Sequence, residues 1–98
     1  MFRHVVMFRW NPEAGDAEQA AVVTGLAGLP AAIEPIRAYR FGPDAGLAPD
    51  NWDFVVVADF DDEAGYLVYR DHPAHQAVIA DAIKPAISAR AAVQYVTD

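Results

Sequence analysis

The chain has 98 residues, with fourteen acidic side chains against seven basic ones, three histidines and no cysteine, for a formal net charge of −7. Missing cysteine excludes disulfides, thiolate nucleophiles, thiolate-held zinc and iron–sulfur clusters, and fits a reducing, cytoplasmic setting. The acidic balance and the scattered cations Arg3, Arg9, Arg37, Arg40, Arg70, Lys84 and Arg90 leave no phosphate-neutralising stripe, which argues against nucleic acid and acidic membrane surfaces as partners.

The length suits one domain, residues 1–98, with no room for a second core. A chain of this size buries only roughly 60–70% of its unfolded surface, so a partner subunit is a useful source of further burial. No apolar run reaches the length of a membrane span, and the chain enters a strand pattern at once, so no signal peptide is expected.

Residues Phe2 to Trp10 alternate strictly. Phe2, His4, Val6, Phe8 and Trp10 share one face, and Arg3, Val5, Met7 and Arg9 the other. Asn11-Pro12 ends the strand because proline donates nothing to the ladder. Asp16 and Gln19 read as an N-cap and its capping-box partner for a helix over Ala17–Leu29. Its stripe runs through Ala20, Val23, Ala27 and Pro30, with Val22, Leu26 and Leu29 beside it. Gly25 and Gly28 each cost it about 1 kcal/mol relative to alanine, so tertiary packing must hold it.

A turn between Pro30 and Pro35 leads to a strand over Ile36–Phe41, and the Gly- and Pro-containing segment Asp44–Asn51 reads as a loop. Trp52–Phe60, centred on Val55, Val56 and Val57, is the strongest strand pattern. Asp61 or Asp62 caps the next helix, which runs through Tyr66, Leu67 and Tyr69 to Asp71 and stops at His72, because Pro73 disfavours helical geometry there. Proline is favourable at a first helical position, so another helix starts at Pro73 and Pro85 ends or kinks it. Arg90–Thr97 alternates again as a final strand.

Strand, helix, strand, strand, helix pair, strand is the split βαβ, ferredoxin-like α+β order: a four-stranded antiparallel sheet with helices on one face. The other face should then be wet and polar. Instead it carries Val5, Met7, Val55 and Val57, flanked by Arg3, Arg9, Asp53 and Asp59. An apolar centre with a charged rim is the anatomy of an interface, so a homodimer through this sheet face is expected.

His4-Val5-Val6-Met7-Phe8, the strand from Asp53 to Asp62 and above all Tyr69-Arg70-Asp71-His72-Pro73-Ala74-His75 resemble the stress-responsive A/B barrel (Dabb) domain. The resemblance covers nearly the whole chain and implies a dimeric α+β barrel. A plant member of that family acts as a cofactor-free cyclase on a linear polyketide by an aldol reaction, and the resemblance carries its catalytic pair onto Tyr69 and His75 and its first-strand histidine onto His4. Phe54 stands where that enzyme has a further pocket histidine, and Val23, Ala27 and Gly28 stand in place of first-helix aromatics, which implies a pocket of different shape.

The chemistry is consistent with these residue types. His75 lies in the first turn of its helix, where the dipole disfavours an imidazolium and leaves a neutral general base. Tyr69 can donate to a carbonyl or enolate oxygen. That pair suffices for abstracting a proton beside a carbonyl with no metal or cofactor. His4, Val6, Phe8, Phe54 and His72 are the candidate pocket residues, suited to an apolar or aromatic small molecule. His72 can equally cap the backbone beside Pro73, and His4 can be a core histidine. No two-histidine helical zinc spacing, nucleophile elbow or phosphate loop is present. The alternative to an enzyme is a non-catalytic, stress-associated ligand-binding or structural dimer.

Overall fold

The sheet is built outward from its first strand. In a computed structural model describing residues 1–98, β1 (Phe2–Trp10) lies between β3 (Phe54–Phe60) and β4 (Ile87–Val96), with β2 (Ala38–Pro43) beyond β3. Every pairing is antiparallel, with Val6 opposite Val56 on one side and Ala92 on the other. This is the ferredoxin-like arrangement read from the sequence. A register shift at Arg9/Trp10 brings Trp10 opposite Ile87.

The strict alternation of β1 becomes a strict alternation of burial: His4, Val6 and Phe8 are buried, while Val5 and Met7 are only half-buried. β3 follows the same rule, with Phe54, Val56 and Ala58 buried and Val55 and Val57 half-buried. One face therefore meets the helices and the other meets solvent. The helix-facing core joins Val6, Phe8, Val56 and Phe60 to Val22, Leu26, Leu29 and Ile33 from the first helical stretch.

That stretch differs from its sequence reading. Helix α1 runs Asp16–Ala27 with Gly15 as its N-cap and no side-chain cap, and the short α2 (Leu29–Ala32) occupies the expected turn. Gln19 donates to the carbonyl of Ala14 rather than completing a capping box. The stripe that enters the core is Val22, Leu26 and Leu29, while Ala20 and Ala27 are exposed and Val23 is 39% exposed. Gly25 explains the shift of face. A Cβ there would lie 2.9 Å from a methyl of Val78, too close for a stiff β-branched neighbour, so the glycine sets the approach of α1 to the C-terminal helices.

Helix α3 (Glu63–Asp71) begins as read, with Asp62 Oδ1 accepting from Gly65 N at 2.9 Å. Helix α4 (Pro73–Val78) starts at the proline. It widens into a π-helical segment, Ile79–Ile83, before the single turn α5 (Lys84–Ala86). Pro85 has no N–H and would clash with the carbonyl four residues back, so the wider winding is the form in which its kink is absorbed. The expected strand boundaries move by a few residues. β2 begins at Ala38, β3 at Phe54 and β4 at Ile87, and Trp52 stays outside the sheet with Arg9 stacked on its ring at 4.4 Å.

Candidate functional site

The break between α3 and α4 organises the site. In an unbroken helix the Arg70 carbonyl would accept from Ala74 N, and the Tyr69 carbonyl from residue 73. Pro73 has no N–H, so Tyr69 O accepts from His72 N at 3.3 Å instead. His72 Nδ1 accepts from Ala74 N at 3.0 Å, capping α4. Arg70 O is thereby freed, and it accepts from two side chains of the next turn: His75 Nδ1 at 3.1 Å and Gln76 Nε2 at 2.6 Å.

This fixes the His75 tautomer. A carbonyl oxygen only accepts, so Nδ1 carries the proton and Nε2 presents a lone pair. Nε2 has no protein partner, yet no buried side-chain nitrogen or oxygen is left unsatisfied, so Nε2 is not sealed in the core. The ring stacks on Tyr69 with centroids 4.0 Å apart and planes inclined by 26°. Burial pushes the His75 pKa below its ordinary value, and Arg90 adds to the lowering. The neutral base expected from a helix dipole is therefore produced chiefly by desolvation.

Beneath these helices one row crosses the sheet. Tyr39, Ala58, His4 and Gln94 are successive cross-strand neighbours on the helix-facing side. Ala58 is small and fully buried, which leaves depth between Tyr39 and His4. The Tyr69 ring occupies that depth, with centroids 5.9 Å from Tyr39 and 6.2 Å from His4. Its hydroxyl meets that of Tyr39 at 2.8 Å. Desolvation pushes the Tyr69 pKa up to about 12, and Tyr39 is raised by its own burial and by Tyr69, so both phenols stay protonated near neutral pH.

His4 is held from the opposite side. Its Nδ1 meets Gln94 Nε2 at 2.7 Å, and an amide nitrogen only donates, so Nδ1 accepts and the proton sits on Nε2. Burial, and to a lesser degree Arg90 and His75, push the His4 pKa down to about 4. The site thus contains two neutral imidazoles of opposite polarity, His75 accepting and His4 donating.

A cavity of about 360 Å³ lies between this row and the helices, at the small end of ligand-site volumes. His4, Val6, Phe8, Tyr69 and His75 all line it. Two expected pocket residues do not. His72 turns to the backbone as a cap, the alternative open to a residue before proline. Phe54 is spent on packing, stacked between Phe8 at 6.3 Å and Phe41 at 6.2 Å. Beyond the residues singled out by sequence, Tyr66 also lines the cavity with its ring 5.0 Å from His4, and Gln94 and Tyr39, outside the lining, hold His4 and Tyr69 in place. Tyr39 was findable, since it alternates with Phe41 towards the helices, whereas the pairing of Gln94 with His4 depends on strand register. No three His, Asp or Glu side chains converge as a metal site.

The family model of the stress-responsive A/B barrel domain matches residues 2–97. An uncharacterised protein of Streptomyces coelicolor is 32% identical over 82 residues, covering 82% of this chain and 84% of that protein. A dimeric ferredoxin-like protein of unknown function from Thermobifida fusca is 46% identical, with a TM-score of 0.90 over 98% of this chain and 90% of that one. The hydroxynitrile lyase of Passiflora edulis superposes with a TM-score of 0.86 over 99% of this chain and 93% of that one, at 17% identity, a likeness of fold alone.

The buried histidines make stability pH-dependent in a defined direction. His4 has a folded pKa of about 4 against an ordinary 6.5. Its contribution is therefore fully present above 6.5 and is lost as pH falls towards 4. It amounts to on the order of 2 kcal/mol after partial screening. Urea unfolding of the wild type should weaken across this window, and His4→Gln, which stays neutral, should show a shallower slope. Equal slopes would contradict the assignment.

Proposed function

Because the chain belongs to the stress-responsive A/B barrel domain family, we propose that it is a homodimer whose protomers each hold an apolar pocket for cofactor-free proton transfer beside a carbonyl. The observation that carries this reading is the Nδ1–H tautomer of His75. Its bond to Arg70 O leaves Nε2 as the base, in a neutral imidazole stacked on a phenol. With Tyr39 donating to Tyr69 O, the Tyr69 proton is available to an enolate oxygen, and His4 Nε2–H is a second donor in the same cavity. Nε2 takes the α-proton, the electron pair moves onto the carbonyl oxygen, and the resulting enolate attacks, expels a leaving group or is reprotonated. These outcomes are the cyclase, lyase and isomerase forms of one step. The hydroxynitrile lyase of Passiflora edulis shares this fold, and its substrate class calls for a base at a hydroxyl proton rather than at an α-carbon.

Dimerisation is proposed through the outer sheet face. Val5 and Val57 are paired across strands, and Val5 is paired in turn with Val93, while Met7 lies between Val55 and Ala91. Val93 is 63% exposed in the single chain. The rim is polar: Arg3 clasps Asp59 through two bonds of 2.7 and 2.9 Å, and Arg9 covers Trp52. The description of the Thermobifida fusca protein as dimeric supports this assembly.

Deuterium exchange at the α-carbon of phenylacetone serves as a probe of the proton-transfer step. The wild type should accelerate it, His75→Ala should lose about 100-fold or more, and Tyr69→Phe about 10- to 100-fold. Folded, dimeric variants that retain the full rate would sink the catalytic assignment. A ligand that raises the melting temperature but returns chemically unchanged would favour the binding-only dimer. The interface is tested by light scattering at micromolar concentration. The wild type should show twice the chain mass and Val57→Asp a single chain, whereas a monomeric wild type would overturn the proposed seam.

A further inference from the structure

The charge distribution around the cavity runs against that of the chain. Acidic side chains outnumber basic ones two to one, fourteen to seven, yet none of the fourteen lines the cavity. Three of the seven cations do: Arg70, Lys84 and Arg90. All three are exposed, whereas His4, Val6, Phe8, Tyr69 and His75 are buried, so the cations stand at the mouth and the apolar and aromatic surface lies behind them.

The three cations are not equivalent. Arg70 is engaged with Asp71 through contacts of 2.8 and 3.1 Å. The side chains of Arg90 and Lys84 have neither an ion pair nor a hydrogen bond within the chain, although Arg3, Arg37 and Arg70 all have carboxylate partners. Arg90 sits opposite Phe8 on the helix-facing side of β4, and Lys84 enters from the turn that follows the π-helical segment. The consecutive elements α5 and β4 thus bring two unpaired cations to one opening. Arg90 also acts on the interior, since its charge helps to lower both His75 and His4.

We infer that the cavity takes an aromatic or aliphatic small molecule bearing a carboxylate, whose anionic end is held at the mouth by Arg90 and Lys84 while its apolar body lies against Phe8, Val6, Ile79 and Ile83. The guanidinium fork suits bidentate carboxylate binding, and the lysine supplies a second, flexible donor. A cavity mouth of one sign focuses field and concentrates the oppositely charged ligand. The same placement decides orientation: a carboxylate at the mouth directs the far end of the molecule towards His75 and Tyr69. This specificity rests on the cavity being a ligand site, but not on its being catalytic.

Equilibrium binding separates the two. Isothermal titration compares 3-phenylpropionate with its neutral isostere 3-phenylpropionamide on the dimeric wild-type protein. The acid should bind about tenfold more tightly, with a preference that shrinks as salt is added. Arg90→Gln and Lys84→Gln should each weaken the acid about fivefold or more and leave the amide unchanged. Arg40→Gln, on the opposite sheet face and also without an ion pair, should alter neither. Equal binding of acid and amide would overturn the anion preference and leave the proton-transfer reading standing. So would a loss in Arg40→Gln as large as that in Arg90→Gln. If neither probe binds, the carboxylate assignment falls together with the reading of the cavity as a ligand site.

Discussion

One missing hydrogen governs the site. Pro73 has no N–H, and the backbone around it must find other partners. His72 N turns to Tyr69 O, Ala74 N turns to the His72 ring, and the Arg70 carbonyl is left to orient His75 and Gln76. Without that break, α3 and α4 would run as one helix. Arg70 O would then be occupied by Ala74 N, with no acceptor to set which nitrogen of His75 holds the proton. The helix break is usually read as a matter of topology, but here it decides a tautomer.

The sheet supplies the complementary constraint. Alternation along β1 and β3 puts His4, Val6, Val56 and Ala58 under the helices and Val5, Met7, Val55 and Val57 on the opposite face. A one-residue slip in register would exchange the two sets. Both faces are apolar at their centres but differ in what the polar groups do. On the outer face they flank the apolar centre, with Arg3 satisfied by Asp59. On the inner face the polar atoms are held by one another in a way that leaves donors and acceptors directed at a cavity. Burial then keeps His4 and His75 neutral and both tyrosines protonated.

Much of this is legible in the chain itself, because it rests on local rules. The alternation of Phe2–Trp10, the Asp62 cap and the His72-Pro73 break are all dictated by neighbouring residues, and they give the element order and the two-faced sheet. What escapes local reading depends on register or on close approach. Gln94 and His4 are ninety residues apart and meet because β1 and β4 pair with those two positions opposite each other. Tyr69 reaches between Tyr39 and His4 because Ala58 is small at the crossing point. The stripe of α1 turns towards Val22 and Leu26 because Gly25 lets Val78 close in on it. His72 and Phe54 carry the right chemistry for a pocket but are engaged elsewhere, one by an orphaned backbone N–H and the other by aromatic packing.

The tautomer of His75 is the point on which the proposed chemistry turns, and nitrogen-resolved NMR of the histidine rings near neutral pH measures it directly. His75 should be neutral, with its proton on Nδ1 and an unprotonated Nε2, and Pro73→Ala should weaken that preference. An imidazolium, or a neutral ring with its proton on Nε2, would contradict the account.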